Sequence, residues 1–268
     1  MFFLGSCSSK KNEVSLIKEV DQQSELISAY SEAMQNLKKN DHFFAANKFL
    51  EAELLFPQSD WAPKSALMAA YSYYSQDYYE DAIGELQRFI KVYPFYKNLD
   101  YAYYLLAVSH YEQIVDEMKD LQSIINAKQY FEIVIRDYPK TSYALDSEFK
   151  IGLIYDILAA KEMYVGRYYF QKKKWISAIN RFKTVIQDYD TTIYAEEALH
   201  RLVEVHYIIG LKDEAKKYAK LLGYNYQSSE WYENSYSLFD KKYKKIKKDK
   251  TKKKNTLKKI KSLFKFDE

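Results

Sequence analysis

Apolar residues in this chain recur at helical spacing, and the same block returns along its length. AANKFLEAELLFP (Ala45–Pro57), AIGELQRFIKVYP (Ala82–Pro94), AKQYFEIVIRDYP (Ala127–Pro139) and AINRFKTVIQDYD (Ala178–Asp190) each begin with Ala. A large apolar residue follows four positions on, at Phe49, Leu86, Phe131 and Phe182. Ala52, Phe89, Val134 and Val185 stand seven positions on, and Pro closes three of the four blocks. AKKYAKLLGYNYQ, from Ala215, keeps the opening and lacks the Pro. Positions i, i+4 and i+7 share one face of a helix, so each block predicts an amphipathic helix. Pro ends it, having no N–H to continue the ladder.

A second apolar segment precedes each block: SAYSEAMQNL, KSALMAAYSYY, YAYYLLAVSHY and, later, EALHRLVEVHY. Ala33, Ala70 and Ala107 sit where a neighbouring helix must come close. Two antiparallel helices per unit, nested through small residues, is the tetratricopeptide pattern. The expected fold is therefore all-α, a superhelical solenoid of about five helix pairs. The Ala-to-Ala intervals are 37, 45, 51 and 37 residues, against about 34 in an ideal array. The longer ones predict an insertion around Tyr111–Ile124 and a lengthened helix through Ser147–Gln171. Residues 24–226 are expected to form the solenoid and 227–240 a helical cap. Residues 1–23 read as a signal remnant, lipobox and polar tether, and 241–268 as a lysine-rich tail.

Composition narrows the picture. Six Gly and four Pro among 268 residues argue against the frequent tight turns of an all-β fold. The single Cys excludes an intramolecular disulfide and a Cys-based zinc site. The net charge of +4 hides two opposite regions: fourteen lysines against Asp249, Asp267 and Glu268 leave residues 241–268 at +11 and residues 1–240 at −7. No GxSxG elbow, phosphate-cradling glycine loop or HExxH is present. Of the histidines His42, His110, His200 and His206, the last two are six apart and fall on different sides of a helix, which does not make a metal pair. Neither catalysis nor a cofactor is expected. A binding role is, because solenoids bind through their concave face.

Leu4-Gly5-Ser6-Cys7 has the form of a bacterial lipobox, an apolar residue and two small ones before Cys. That form makes Cys7 a candidate for lipid attachment, with SSKKNEVS as a hydrophilic tether. A signal peptide also needs a basic start and an apolar stretch of about 7–15 residues, whereas six residues precede Cys7. Either the natural start lies upstream or Cys7 is an ordinary cysteine.

FPQSDWAPKSALMAAYSYY (56–74), AYYLLAVSHYEQI (102–114), KEMYVGRYYF (161–170), EALHRLVEVHY (197–207) and GYNYQSSEWY (223–232) resemble the BamD family over nearly all of residues 20–240. That family comprises outer-membrane lipoproteins of the β-barrel assembly machinery. The resemblance implies five tetratricopeptide repeats and a lipid anchor in the inner leaflet of the outer membrane, on its periplasmic face. The implied partners are the periplasmic POTRA domains of BamA, the other lipoproteins of that machinery, and unfolded outer-membrane β-barrel proteins. The implied activity is non-enzymatic, receiving those clients and promoting their insertion. The short segment before Cys7 and the lysine tail depart from the family pattern.

Counting from the small residues of the first helices places Tyr30, Met34, Tyr71, Tyr74, Tyr101, Tyr104, Val108 and Tyr111 along an N-terminal groove. Its aromatic lining suits an extended amphipathic strand, although the same tyrosines also suit packing between helices. The resemblance puts BamA contact at the other end, Ala178–Tyr226, where Glu196, Glu197, Arg201 and Lys212 are candidate rim charges or ordinary solvated ones. In the tail, Leu257, Ile260, Leu263 and Phe264 form a short apolar stripe among lysines. It suits an anionic membrane, a nucleic acid or a solubilising extension; in the periplasm no nucleic-acid partner is expected. Two other functions remain open, a periplasmic lipoprotein of cell-wall or division machinery and a cytoplasmic adaptor whose tail binds nucleic acid.

Overall fold

The computed structural model describes residues 22–114, 121–227 and 229–240. All regular structure among them is helical. The helices are α1 (Gln22–Lys38), α2 (His42–Leu55), α3 (Trp61–Tyr74), α4 (Tyr79–Val92), α5 (Leu99–Glu112), α6 (Gln122–Asp137), α7 (Ser142–Gln171), α8 (Trp175–Asp188), α9 (Ala195–Ile208), α10 (Lys212–Asn225) and α11 (Glu230–Phe239). The five Ala-led blocks fall on α2, α4, α6, α8 and α10, and their preceding partners on α1, α3, α5, α7 and α9. Short turns between packed neighbours make α1 and α2, α3 and α4, α7 and α8, and α9 and α10 antiparallel pairs.

One turn geometry recurs. Asn40, Asp77, Lys173 and Gly210 have positive φ, each two residues before the second helix of its pair. In all four turns the next residue's N–H reaches five residues back: Asp41 to Asn36, Tyr78 to Tyr73, Lys174 to Tyr169 and Leu211 to His206. This is the Schellman closure, in which a left-handed residue lets the chain satisfy helix-terminal carbonyls. Asn, Asp and Gly tolerate that conformation; Lys does so at a cost. Side-chain caps begin three helices, with Asp41 accepting from Phe44 N–H, Thr141 from Ala144 N–H and Ser229 from Tyr232 N–H.

Two compact units result, divided at Ser109 and His110. In the first, Ala33, Ala45, Phe49 and Ala69 form one core cluster, with Tyr30, Met34, Leu37, Leu50 and Met68 packed on it. In the second, Ala159, Met163, Ala178, Phe182, Val185, Ala198 and Leu202 share a core with Ile179 and Val205. The repeated large positions Phe49, Leu86, Phe131 and Phe182 are wholly buried; removing such side chains from water stabilises by about 1.5–3 kcal/mol apiece. The alanines expected at close contact, Ala33, Ala70 and Ala107, are wholly buried as well. The lengthened helix is α7, thirty residues without a break, packed on α6 and on α8. Residues 115–120 of the first expected insertion lie outside the described residues.

Candidate functional site

Seven of the eight expected groove residues belong to the first unit and lie on α1, α3 and α5. They are not equivalent. The Tyr30 ring meets Phe49 at 5.1 Å and Trp61 at 5.0 Å, both edge-on, so it anchors the core as much as it lines a surface. Met34 packs on the same cluster, and Tyr74 lies 5.9 Å from Tyr79. Tyr101 and Tyr104 are half-buried, whereas Tyr71 is 36% exposed. Tyr111 belongs to the second unit, edge-on to Phe131 with the Lys150 ammonium 5.1 Å from its ring centre. Val108 is only 4% exposed, so its side chain cannot line a groove. Every residue from Leu105 to His110 is buried, and a helix enclosed all round has no free face to count along.

The residues missed are Trp61 and Lys64. The Lys64 ammonium lies 4.5 Å from the Trp61 ring centre and 5.0 Å from that of Tyr30. Trp61, Lys64, Met68 and Tyr71 follow each other at i, i+3, i+7 and i+10, one face of α3. That spacing was available in the sequence. The face combines a cation held over aromatic rings with partly exposed aromatic edges, which suits an extended peptide with aromatic side chains.

At the other end, Glu197 and Arg201 meet, whereas Glu196 and Lys212 stand apart from them. They are not free rim charges. Arg167 Nη1 donates to Glu197 Oε2 at 2.9 Å, Arg201 Nε to Glu197 Oε1 at 3.3 Å, and Arg201 Nη1 to Glu204 Oε2 at 2.6 Å. The Arg201 guanidinium lies 5.8 Å from the Phe170 ring centre and 5.6 Å from that of Trp231. His200 Nε2 is 3.6 Å from Glu204, and its Nδ1 is 2.8 Å from Ser235 Oγ on α11. Burial pushes the Glu204 carboxyl up, but His200 and Arg201 more than offset it and leave it below the ordinary carboxylate range. The network joins α7, α9 and α11, so two of the four expected contact charges hold the second unit together.

Among the described residues no helix is long and apolar enough to cross a membrane, and no group of three His, Cys, Asp or Glu side chains is placed to hold a metal ion. Cys7 and the lysine tail lie outside the described residues.

The family described as YfiO, an outer membrane lipoprotein, matches residues 22–221. The chain belongs to this family. Among similar proteins, the outer membrane protein assembly factor BamD of Rickettsia prowazekii is 42% identical over 235 residues, covering 88% of this chain and 91% of that protein. BamD of Caulobacter vibrioides is 38% identical, covering 88% and 77%. BamD of Neisseria gonorrhoeae is 31% identical, covering 63% and 67%. The YfiO match takes in the α3 face and most of the Arg201 network, and leaves Cys7 and residues 241–268 outside it.

Proposed function

We propose that this protein is an outer-membrane protein assembly factor, a non-catalytic scaffold that receives unfolded β-barrel clients. The observation that carries this reading is 42% identity to a BamD protein across 91% of that protein's length. The tandem helix pairs support it, since pairs of this kind offer an extended face for a peptide. The proposed client contact is the first unit's Trp61–Lys64–Tyr71 face, with Tyr104 on α5 as a further candidate. The barrel-forming subunit BamA, through its POTRA domains, and the other lipoproteins of the machinery are the proposed partners. Cys7 is the proposed lipid-attachment residue, holding the protein on the periplasmic face of the outer membrane.

The deciding experiment is affinity purification of the tagged full chain from detergent-solubilised envelopes. Recovery of BamA is expected; recovery of peptidoglycan enzymes in its place overturns the reading. Tyr71→Ser and Trp61→Ala are expected to weaken an aromatic-ended client peptide by about 2–10-fold in fluorescence anisotropy, with the melting temperature of Tyr71→Ser near that of the parent. Radiolabelled palmitate is expected in the parent chain and absent from Cys7→Ser.

A further inference from the structure

The N-terminal half of α7 carries an apolar stripe that the described fold does not cover. Its inward positions Ala144, Ser147 and Ile154 are buried. Leu145 and Phe149, one turn apart on the opposite side, are 69% and 66% exposed. Gly152 continues that side, and a Cβ built on it would meet nothing within 4 Å. A glycine inside a helix costs about 1 kcal/mol relative to Ala. Here no internal neighbour explains it, and its effect is to leave backbone open to a close approach from outside. One turn further, Asp156 accepts from the Ile193 N–H at 3.4 Å, which brings the 77% exposed Ile193 alongside. Glu148 is exposed on the same side and joins no ion pair among the described residues. Lys150 is engaged by Asp146 and the Tyr111 ring. The face is thus apolar along its axis and acidic at its edge.

The same chain contains its complement. Leu257, Ile260 and Phe264 recur at i, i+3 and i+7 among Lys258, Lys259, Lys261 and Lys265, apolar on one side and basic around it. This segment follows α11 in the same unit through residues 241–256, a spacer able to extend about 50 Å. Tethering of this kind presents a ligand at an effective concentration in the millimolar range, so even a weak apolar contact with charge complementarity is populated. We propose that the basic, apolar segment Leu257–Lys265 docks in cis on the Leu145–Glu148–Phe149–Gly152 face of α7. The contact is independent of the client reading of the first unit.

Disulfide trapping in the full chain tests it. On a Cys7→Ser background, Glu148→Cys is paired with Lys261→Cys; the control pairs Gln187→Cys, exposed on α8, with Lys261→Cys. The α7 pair is expected to oxidise at least about tenfold faster than the control, giving an intramolecular product, and to slow severalfold in about 1 M salt. Equal rates overturn the proposal. So does a product of twice the mass, which assigns the face to a second copy of the chain. Vesicles containing phosphatidylglycerol are expected to leave the rate within about twofold; loss of the product with co-sedimentation of the chain assigns the segment to the lipid surface and overturns cis docking. Gly152→Ala is expected to raise the melting temperature and slow trapping severalfold. A raised melting temperature with unchanged trapping also overturns it.

Discussion

The two units place their polar networks on different layers of the same helix-pair repeat. In the first, Glu53 on α2 is 5% exposed and takes both terminal nitrogens of Arg88 on α4, at 2.8 and 2.6 Å, and the Tyr93 hydroxyl at 2.7 Å. Glu85 takes the remaining Arg88 Nε–H at 2.8 Å. This network ties the second helices of two successive pairs. Arg88 is held above its ordinary range by its hydrogen bond to Glu53, and Tyr93 by burial and then by the same carboxylate. In the second unit the Arg167–Glu197–Arg201–Glu204 network ties first helices, and its carboxylates are less buried than Glu53, with the Glu197 and Glu204 side chains 14% and 26% exposed against 7%. A buried carboxylate with charged donors fixes register but leaves a large penalty if one partner is lost. A network whose carboxylates are partly open to water is worth less per contact, because water screens it.

The largest expected effect therefore falls in the first unit. Glu53→Ala removes two of the three hydrogen bonds of Arg88 and the acceptor of the Tyr93 hydroxyl, and is expected to destabilise by about 2–4 kcal/mol, read as a lower urea midpoint. The double replacement Glu53→Ile with Arg88→Leu is expected to recover most of that loss, since it removes both charges and fills the space. Arg201→Ala in the second unit, by contrast, is expected to cost only about 1 kcal/mol. Equal losses would erase the distinction between the networks.

A smaller effect separates the close-contact positions. Ala33, Ala70 and Gly166 each stand twelve residues before the Ala that opens the next block's pattern. A Cβ on Gly166 would sit 2.6 Å from Phe182 Cε1, so restoring the repeat's own Ala there overfills the contact. Gly166→Ala is expected to cost about 1–3 kcal/mol in thermal or urea unfolding, and Phe182→Leu on that background to return part of it.

Acid titration sharpens the comparison next. The Glu204 carboxyl titrates below its ordinary range in the folded chain. Its contribution is complete above the unfolded value of about 4.3 and is lost as pH falls through the lowered folded value. The urea midpoint is expected to fall below about pH 4, and Glu204→Gln to flatten that limb. The smallest effect concerns the turns. The left-handed residues are Asn40 and Asp77 in the first unit and Lys173 and Gly210 in the second. Lys173→Gly is expected to stabilise by up to about 1 kcal/mol, whereas Asn40→Gly changes little.

Much of this was legible in advance because the repeat is its own control. Glu53 stands where the other three closely matching blocks carry Ile90, Ile135 and Ile186. A charge in an isoleucine position announces a buried pair, though it does not name Arg88. The helices were legible from Ala spacing and closing Pro, and three of the four left-handed turn positions carry residues that tolerate them. Face counting failed at Val108, where α5 is enclosed all round. It misread Glu197 and Arg201 because an i, i+4 acid–base pair looks solvated on its own helix, and Arg167, thirty residues earlier, leaves no sequence mark of its role. Trp61 and Lys64 were readable by periodicity alone once α3 was counted from its first turn.

The uninterrupted length of α7 has a mechanical consequence. Because one rod serves as neighbour to α6 near its start and to α8 near its end, those layers cannot peel away one after another as in an array of separate hairpins. Amide protons along its midsection should exchange only when both attachments let go together, so that a pull felt at one extremity arrives undiminished at the other.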